Sequence, residues 1–249
     1  MTPVAFNLSG FTSIVDAARD ADYDFVRPGE DVGQGLLLRH DVDLSLRSAA
    51  QLAEYEATIG VSSTYFIMVR SAFYSVTSPE ASGLLRAITE SGHAIGLHWD
   101  AGPYHTGEAA SSVSREIDIL QWLTGMPCIA VSHHQPSLNG LVDIEVPGVV
   151  NMYGRQVQEQ FRYISDSCMS FREDPLAMLA RKVPMQLLLH PEYWTPGGDT
   201  LEGVCANLAR QEAQVALQRF DHECALMQQT VRRRAQFDGD LRQSMTPRA

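Results

Sequence analysis

The chain is short of paired cysteines, of positive charge and of long apolar runs, and each shortage closes off a class of protein. Its four cysteines, Cys128, Cys168, Cys205 and Cys224, are widely spaced and form no Cys-x-x-Cys pair. That excludes a zinc knuckle and a small disulfide scaffold, and suits thiols kept in a reducing compartment. Lysine and arginine total 19 against 30 aspartates and glutamates, a net charge of −11 over 249 residues. Such a surface repels nucleic acid, anionic membranes and acidic polymers. The one basic cluster, Arg232 to Arg234, falls toward the end of a helical stretch, where cations suit the helix dipole. No apolar stretch approaches the roughly 18 residues of a membrane helix. Met1 to Gly10 shows no basic start followed by an apolar run. The expectation is a cytoplasmic protein without nucleic-acid or membrane partners.

No repeat, low-complexity segment or linker interrupts the chain, so residues 1–249 read as one domain. Its core spans about 11–200, followed by a helical region over 201–238 and a tail over 239–249. Short apolar runs alternate with amphipathic stretches, the pattern of an α/β fold built on a mainly parallel sheet. Leu36 to Leu38 predict a buried strand running into His40-Asp41-Val42-Asp43. Further strands are expected at 63–69, at 93–98, at 128–131 leading into Ser132-His133-His134, at 163–166 and at 185–189. Helices are expected at 11–21, 46–59, 81–90 and 108–123. Beyond Leu201 the apolar spacing predicts one long helix or a helical pair, which either packs on its own domain or forms a contact between copies in a homo-oligomer.

Chemistry-bearing residues collect at the strand ends. Of the eight histidines, His40, His98, His134 and His190 each close an apolar strand, as do Asp41, Asp43 and Asp166. The carboxyl ends of parallel strands converge on one rim, so residues distant in sequence meet there. Asp41 and Asp43 are two apart on an extended chain and point the same way. Two anions aimed at one spot repel unless a cation lies between them or one is protonated. A divalent metal resolves that conflict, with one carboxylate binding it and the other free to accept a proton; the alternative is that Asp43 caps the helix starting near Ser45. His98 suits a metal, whereas His93 falls on the opposite side of its strand and reads as structural. His133 and His134 diverge, so one of them faces the site, His134 by preference. His190 suits general acid work, with Asp166 either orienting it or capping or pairing with Arg172. Tyr193 and Trp194 either wall a substrate pocket or pack, and Trp99 and Arg39 are further candidates for substrate contact.

These motifs resemble, in order, those of the polysaccharide deacetylases (the NodB-homology domain, carbohydrate esterase family four), in a divergent branch with a His-Asp-Val-Asp first motif. The resemblance runs from about Phe11 to Trp194. It covers Leu38 to Asp43, Ser91 to His98, Ser132 to Pro136, Tyr163 to Ser167 and Leu188 to Pro191. It implies a distorted (β/α) barrel of about seven parallel strands, here with a C-terminal helical extension, and metal-dependent N- or O-deacetylation. By carry-over, Asp41 is the base, Asp43 and His98 are ligands and His190 is the acid. The chain departs from the family pattern in three places. Asp-x-Asp replaces adjacent aspartates; Gly102 stands where the second ligand histidine belongs; and His134 stands where an arginine orients the base. The third ligand therefore comes from His134, or else from His105 or His133, and the base is held by Arg39 or by the metal.

The expected function is hydrolysis of an N-acyl bond in a small molecule such as an amino sugar or a secondary-metabolite intermediate. Zn²⁺ is the first choice of metal, and Co²⁺, Ni²⁺ or Fe²⁺ are compatible with the same donors. The rival readings are a cyclic amide or imide hydrolase, an inactive sugar- or partner-binding member of the family, and a metal-dependent lyase or isomerase.

Overall fold

The strand that carries Asp41 is buried along its whole length, which is what a central strand of a parallel sheet covered on both faces requires. The structure, a computed structural model, describes residues 4–31, 33–104, 107–141 and 144–244. Its strands are β1 (Asp24–Phe25), β2 (Gly35–Val42), β3 (Thr64–Ile67), β4 (Ala94–Trp99), β5 (Cys128–His133), β6 (Val150–Asn151), β7 (Arg162–Ser165) and β8 (Met185–Leu189). They run parallel in the order β6-β5-β4-β3-β2-β8-β7, with β1 beside the start of β2. The last strand thus returns to the first long one, and the seven form a curled half-barrel whose free edges are β6 and β7. Across that open seam the rings of Tyr153, just after β6, and Tyr163, in β7, lie 6.3 Å apart.

Helices α1 (Leu8–Asp20), α2 (Leu46–Thr58), α3 (Pro79–Glu90), α4 (Ala109–Thr124), α5 (Pro136–Asn139), α6 (Arg155–Gln160) and α7 (Pro175–Leu179) connect the strands. The longer expected elements are present within a few residues. The two-residue strands β1 and β6 were not expected, because a period of two needs more residues to show. Among the described residues no helix is long and apolar enough to cross a membrane.

Two compact units are present, Met1–Val204 and Cys205–Ala249. The boundary falls within α8 (Leu201–Ser244), a single helix rather than a pair. Its backbone is helical well past Gly239, where the sequence suggested a tail. Arg232 to Arg234 therefore sit about ten residues before the helix end, and the helix dipole, which acts within the last turn, does not account for them.

Side-chain alternation splits the sheet into two faces. Val42, Tyr65, Ile67, Ile95, Leu97, Trp99 and Val131 join the outer core with the helices, whereas Leu37, Phe66 and Ala130 join the inner one. Gly96 belongs to the inner face, where a Cβ would come within 2.6 Å of the Phe66 ring. His40 faces outward and its Nε2 meets Glu56 of α2 at 2.8 Å, both side chains fully buried. Glu56 also accepts from Ser63 Oγ and Tyr65 Oη, each at 2.8 Å. His93 lies beside this group, with Nδ1 accepting from the Ser63 backbone N–H at 3.1 Å and Nε2 donating to the Ala53 carbonyl at 3.0 Å. His40 therefore belongs to the helix–sheet interface and not to the rim, a correction to the strand-end reading that follows from its parity with Val42.

Burial works against the Glu56 carboxylate, but His40, His93 and Ser63 hold it below the usual range. Burial also lowers the His93 imidazole, against the pull of Glu56. Both groups bind fewer protons folded than unfolded. Their stabilisation is present above the unfolded values and is lost as the pH falls below about 6.5 for His93 and about 4.3 for Glu56. Urea unfolding should show a midpoint that declines below pH 6.5. At pH 7, Glu56→Ala should cost about 3–5 kcal/mol, and an unchanged midpoint in this variant would contradict the assigned role.

Candidate metal centre

The carboxyl ends of β2, β4, β5 and β8 bring the site together. Ser45 caps α2 by accepting the Ser48 backbone N–H at 3.1 Å, so the helix start does not occupy Asp43. Asp43 Oδ1 lies 3.0 Å from His98 Nε2 and 3.4 Å from His134 Nδ1, and the two ring nitrogens are 3.1 Å apart. One donor atom from each of Asp43, His98 and His134 falls within 4.8 Å of the others. Both imidazoles act electrostatically on Asp43, yet its buried Oδ1 has no aligned hydrogen-bond partner among the described residues. Donor atoms gathered this closely suit a cation, and one carboxylate with two imidazoles is a fitting donor set for a first-row divalent metal. Burial alone would raise the Asp43 carboxyl, but His134 and His98, with His190 farther off, hold it far below the ordinary range. Asp43 in turn raises the His134 imidazole against the effect of burial.

Asp41 lies one layer deeper. Its Oδ2 accepts from Ser132 Oγ at 3.0 Å and lies 3.4 Å from Arg39 Nη2. His98 spans the two carboxylates, with Nδ1 at 3.7 Å from Asp41 Oδ2 and Nε2 toward Asp43. Asp41 and Asp43 thus do share a face.

On the far side, His190 Nδ1 contacts Asp166 Oδ1 at 2.6 Å, while the His190 backbone N–H donates to Asp166 Oδ2 at 3.0 Å. Trp194 Nε1 donates to the same oxygen at 2.9 Å. This leaves His190 Nε2 facing the centre, 3.8 Å from Asp43 Oδ2. Burial would lower the His190 imidazole, but Asp166, then Asp43 and Glu192, hold it well above the ordinary histidine range. Glu192 is fully buried, and burial together with Asp43 pushes its carboxyl up to about 8.

Several expected roles change. Trp99 is 1% exposed, and its Nε1 donates to Ser112 Oγ of α4 at 3.1 Å. Its odd register relative to His98 turns it into the helix layer, away from the donor cluster. Trp194, also 1% exposed, donates through Nε1 to Asp166 and lines a cavity with Asn7, Leu8 and Gln51 on the outer side. Arg39 is wholly buried beneath the site, against Asp41. Tyr193 is buried with its ring 5.2 Å from that of His190. Asp166 makes no helix-cap bond. His133 packs its ring against Trp99 and Tyr153 and is absent from the donor cluster. His105 lies outside the described residues. Ser132, Tyr153 and Glu192 were not singled out in the sequence. Ser132 alone left a signal, its two-residue spacing from His134, which puts both on one face.

No protein-family model matches the chain, and no curated protein matches it. Solved structures do. They include a family 4 carbohydrate esterase from Bacillus anthracis, 12% identical over 80% of this chain and 85% of that one, with a TM-score of 0.41. A family 4 acetyl xylan esterase from Clostridium thermocellum, in complex with a cobalt ion, is 13% identical over 71% and 84%, with a TM-score of 0.43. A wild-type family 4 pseudoenzyme from Bacillus anthracis is 13% identical over 74% and 63%, with a TM-score of 0.41. All three belong to carbohydrate esterase family 4, the polysaccharide deacetylases. What this site can do rests on its own donors.

The raised His190 imidazole is a folded-state gain that is fully present below the unfolded value near 6.5 and lost as the pH rises through the folded value. In metal-free protein followed by ¹H–¹⁵N NMR, Asp166→Asn should lower the His190 titration by about one pH unit or more. A titration that stays in place would show that Asp166 does not set it.

Proposed function

We propose that this chain is a metal-dependent hydrolase that cleaves the N-acyl bond of a small molecule, most simply an N-acetylated amino sugar or a secondary-metabolite intermediate. One observation carries the reading. The Asp43–His98–His134 donor triad lies between a buried carboxylate, Asp41, and an imidazole, His190, that Asp166 keeps ready to give up a proton. The triad would hold the ion through one carboxylate and two ring nitrogens, with Zn²⁺ the first candidate and Co²⁺, Ni²⁺ or Fe²⁺ compatible. When bound, such an ion supplies Lewis acidity, which polarises a carbonyl and makes a neighbouring water more acidic.

The chain's own residues supply the proton transfers. Asp41 accepts a proton from the attacking water, whose oxygen joins the carbonyl carbon. His190 Nε2 donates to the departing nitrogen as the C–N bond breaks, and Asp166 stabilises the imidazolium until that moment. Water is thereby added across the bond, giving a carboxylic acid and an amine, and the proton taken by Asp41 balances the one given by His190. Tyr193 packs beside His190 and Trp194 holds Asp166, which limits movement of the acid. The strongly acidic composition favours a small substrate over an anionic polymer, and the free cysteines agree with a cytoplasmic setting.

The test uses the full chain and N-acetylglucosamine as probe, with metal analysis of the purified protein and acetate release as readouts. Chelation should abolish release and zinc should restore it. Asp41→Asn should lower kcat by about 10²–10⁴-fold with metal content unchanged. Protein without bound metal, and with turnover indifferent to chelation, would contradict the hydrolase reading.

A further inference from the structure

Arg39 is a fully buried guanidinium, a state that is costly unless the charge is paired. Among the described residues Asp41 is its one ion-pair partner, with Nη2 3.4 Å from Oδ2. Nη2 also donates to the Tyr153 hydroxyl at 3.2 Å, while Nε and Nη1 have no hydrogen-bond partner among the described residues. The guanidinium carbon lies 5.1 Å from the Tyr153 ring, 5.4 Å from Phe66 and 6.0 Å from Tyr163. Arg39 therefore stacks on aromatic rings from both edges of the open seam while facing the inner carboxylate of its own strand. Residues 39 and 41 share a face of β2, so no loop movement separates them.

The two oxygens of Asp41 are treated differently. Oδ2 has contacts from Ser132 Oγ, Arg39 Nη2 and His98 Nδ1, whereas Oδ1 is buried without a hydrogen-bond partner among the described residues. Ser132 pairs in register with His98, so the strand pair that presents a metal donor also presents the hydroxyl on Asp41.

We propose that Arg39 is the positioning residue of the base. Together with Ser132 it fixes Asp41 Oδ2 and leaves Oδ1 to accept the proton. This rests on the reading of Asp41 as the base. The arginine comes from the base's own strand, and its stack across the seam ties the aim of the carboxylate to the closure of the half-barrel. A seam plug without this function would contribute stability only.

The experiment uses the zinc-loaded full chain and 4-nitrophenyl acetate. This probe's leaving group needs no proton, so the assay reads the base and not His190. Arg39→Met should lower kcat by about 10²-fold, with KM and the zinc Kd from calorimetry within about twofold of the parent. Arg39→Lys should recover part of the loss, because a shorter point charge keeps the attraction but not the stack. Ser132→Ala should lower kcat by a smaller factor. A crystal structure of Arg39→Met should show the Asp41 carboxylate turned away from Ser132. Arg39→Met with a lower melting temperature but parental kcat would overturn the proposal. If that variant does not fold, Ser132→Ala decides, and parental kcat there overturns it too. Asp41→Asn is assayed in parallel: turnover retained in that variant removes the base assignment itself, whereas turnover lost there but kept in the Arg39 variants removes only the positioning role.

Discussion

Charge buried on β2 has to be answered from the side it faces, and the rest of the site follows from this. Within five residues the strand end carries Arg39, His40, Asp41 and Asp43. Unpaired charge in a low-dielectric interior costs several kcal/mol per group, so each demands a partner. The outward group, His40, meets Glu56 and with it a hydrogen-bonded set on α2 and β3. The inward groups are answered within the lumen: Arg39 by Asp41 and aromatic rings, Asp41 also by Ser132, Asp43 by two imidazoles. Helix packing on one face and chemistry on the other are two consequences of one strand's alternation.

That arrangement gives the donor carboxylate and the facing imidazole opposite protonation behaviour. The donor carboxylate Asp43 is held ionised by the imidazoles beside it, while His190 is held protonated by Asp166 on the other side of the centre. Asp166 is fixed by three hydrogen-bond donors from the segment that follows β8, so the orientation of the His190 ring comes from local chain geometry.

Much of this was legible in the residue order. Alternation along 36–43 put Asp41 and Asp43 on one face, apolar runs ending in histidine marked most of the rim, and divergence of His133 from His134 meant that only one of the two faces the site. These are short-range statements that a periodic pattern can carry. Less legible were the aromatics and the arginine. Trp99 stands next to His98, and adjacency in a strand means opposite faces, whereas the depth at which Arg39 and Trp194 are buried has no local signature. Glu56 gave no signal at all, because its importance comes from His40, Ser63, Tyr65 and His93 converging on it from other elements.

The sequence by itself determined the α/β class, the parallel strands and most of the rim residues, since backbone periodicity and side-chain parity are local properties. Only the tertiary structure decided which side chains share a point in space. It drew His134 rather than His133 to the Asp43–His98 pair, put Asp166 against His190 instead of on a helix cap, and sank Arg39 beneath Asp41 between rings from two strand edges. Those choices depend on sheet curl and on register between strands far apart in the chain, where the cost of burying charge selects one partner among several that the residue order leaves open.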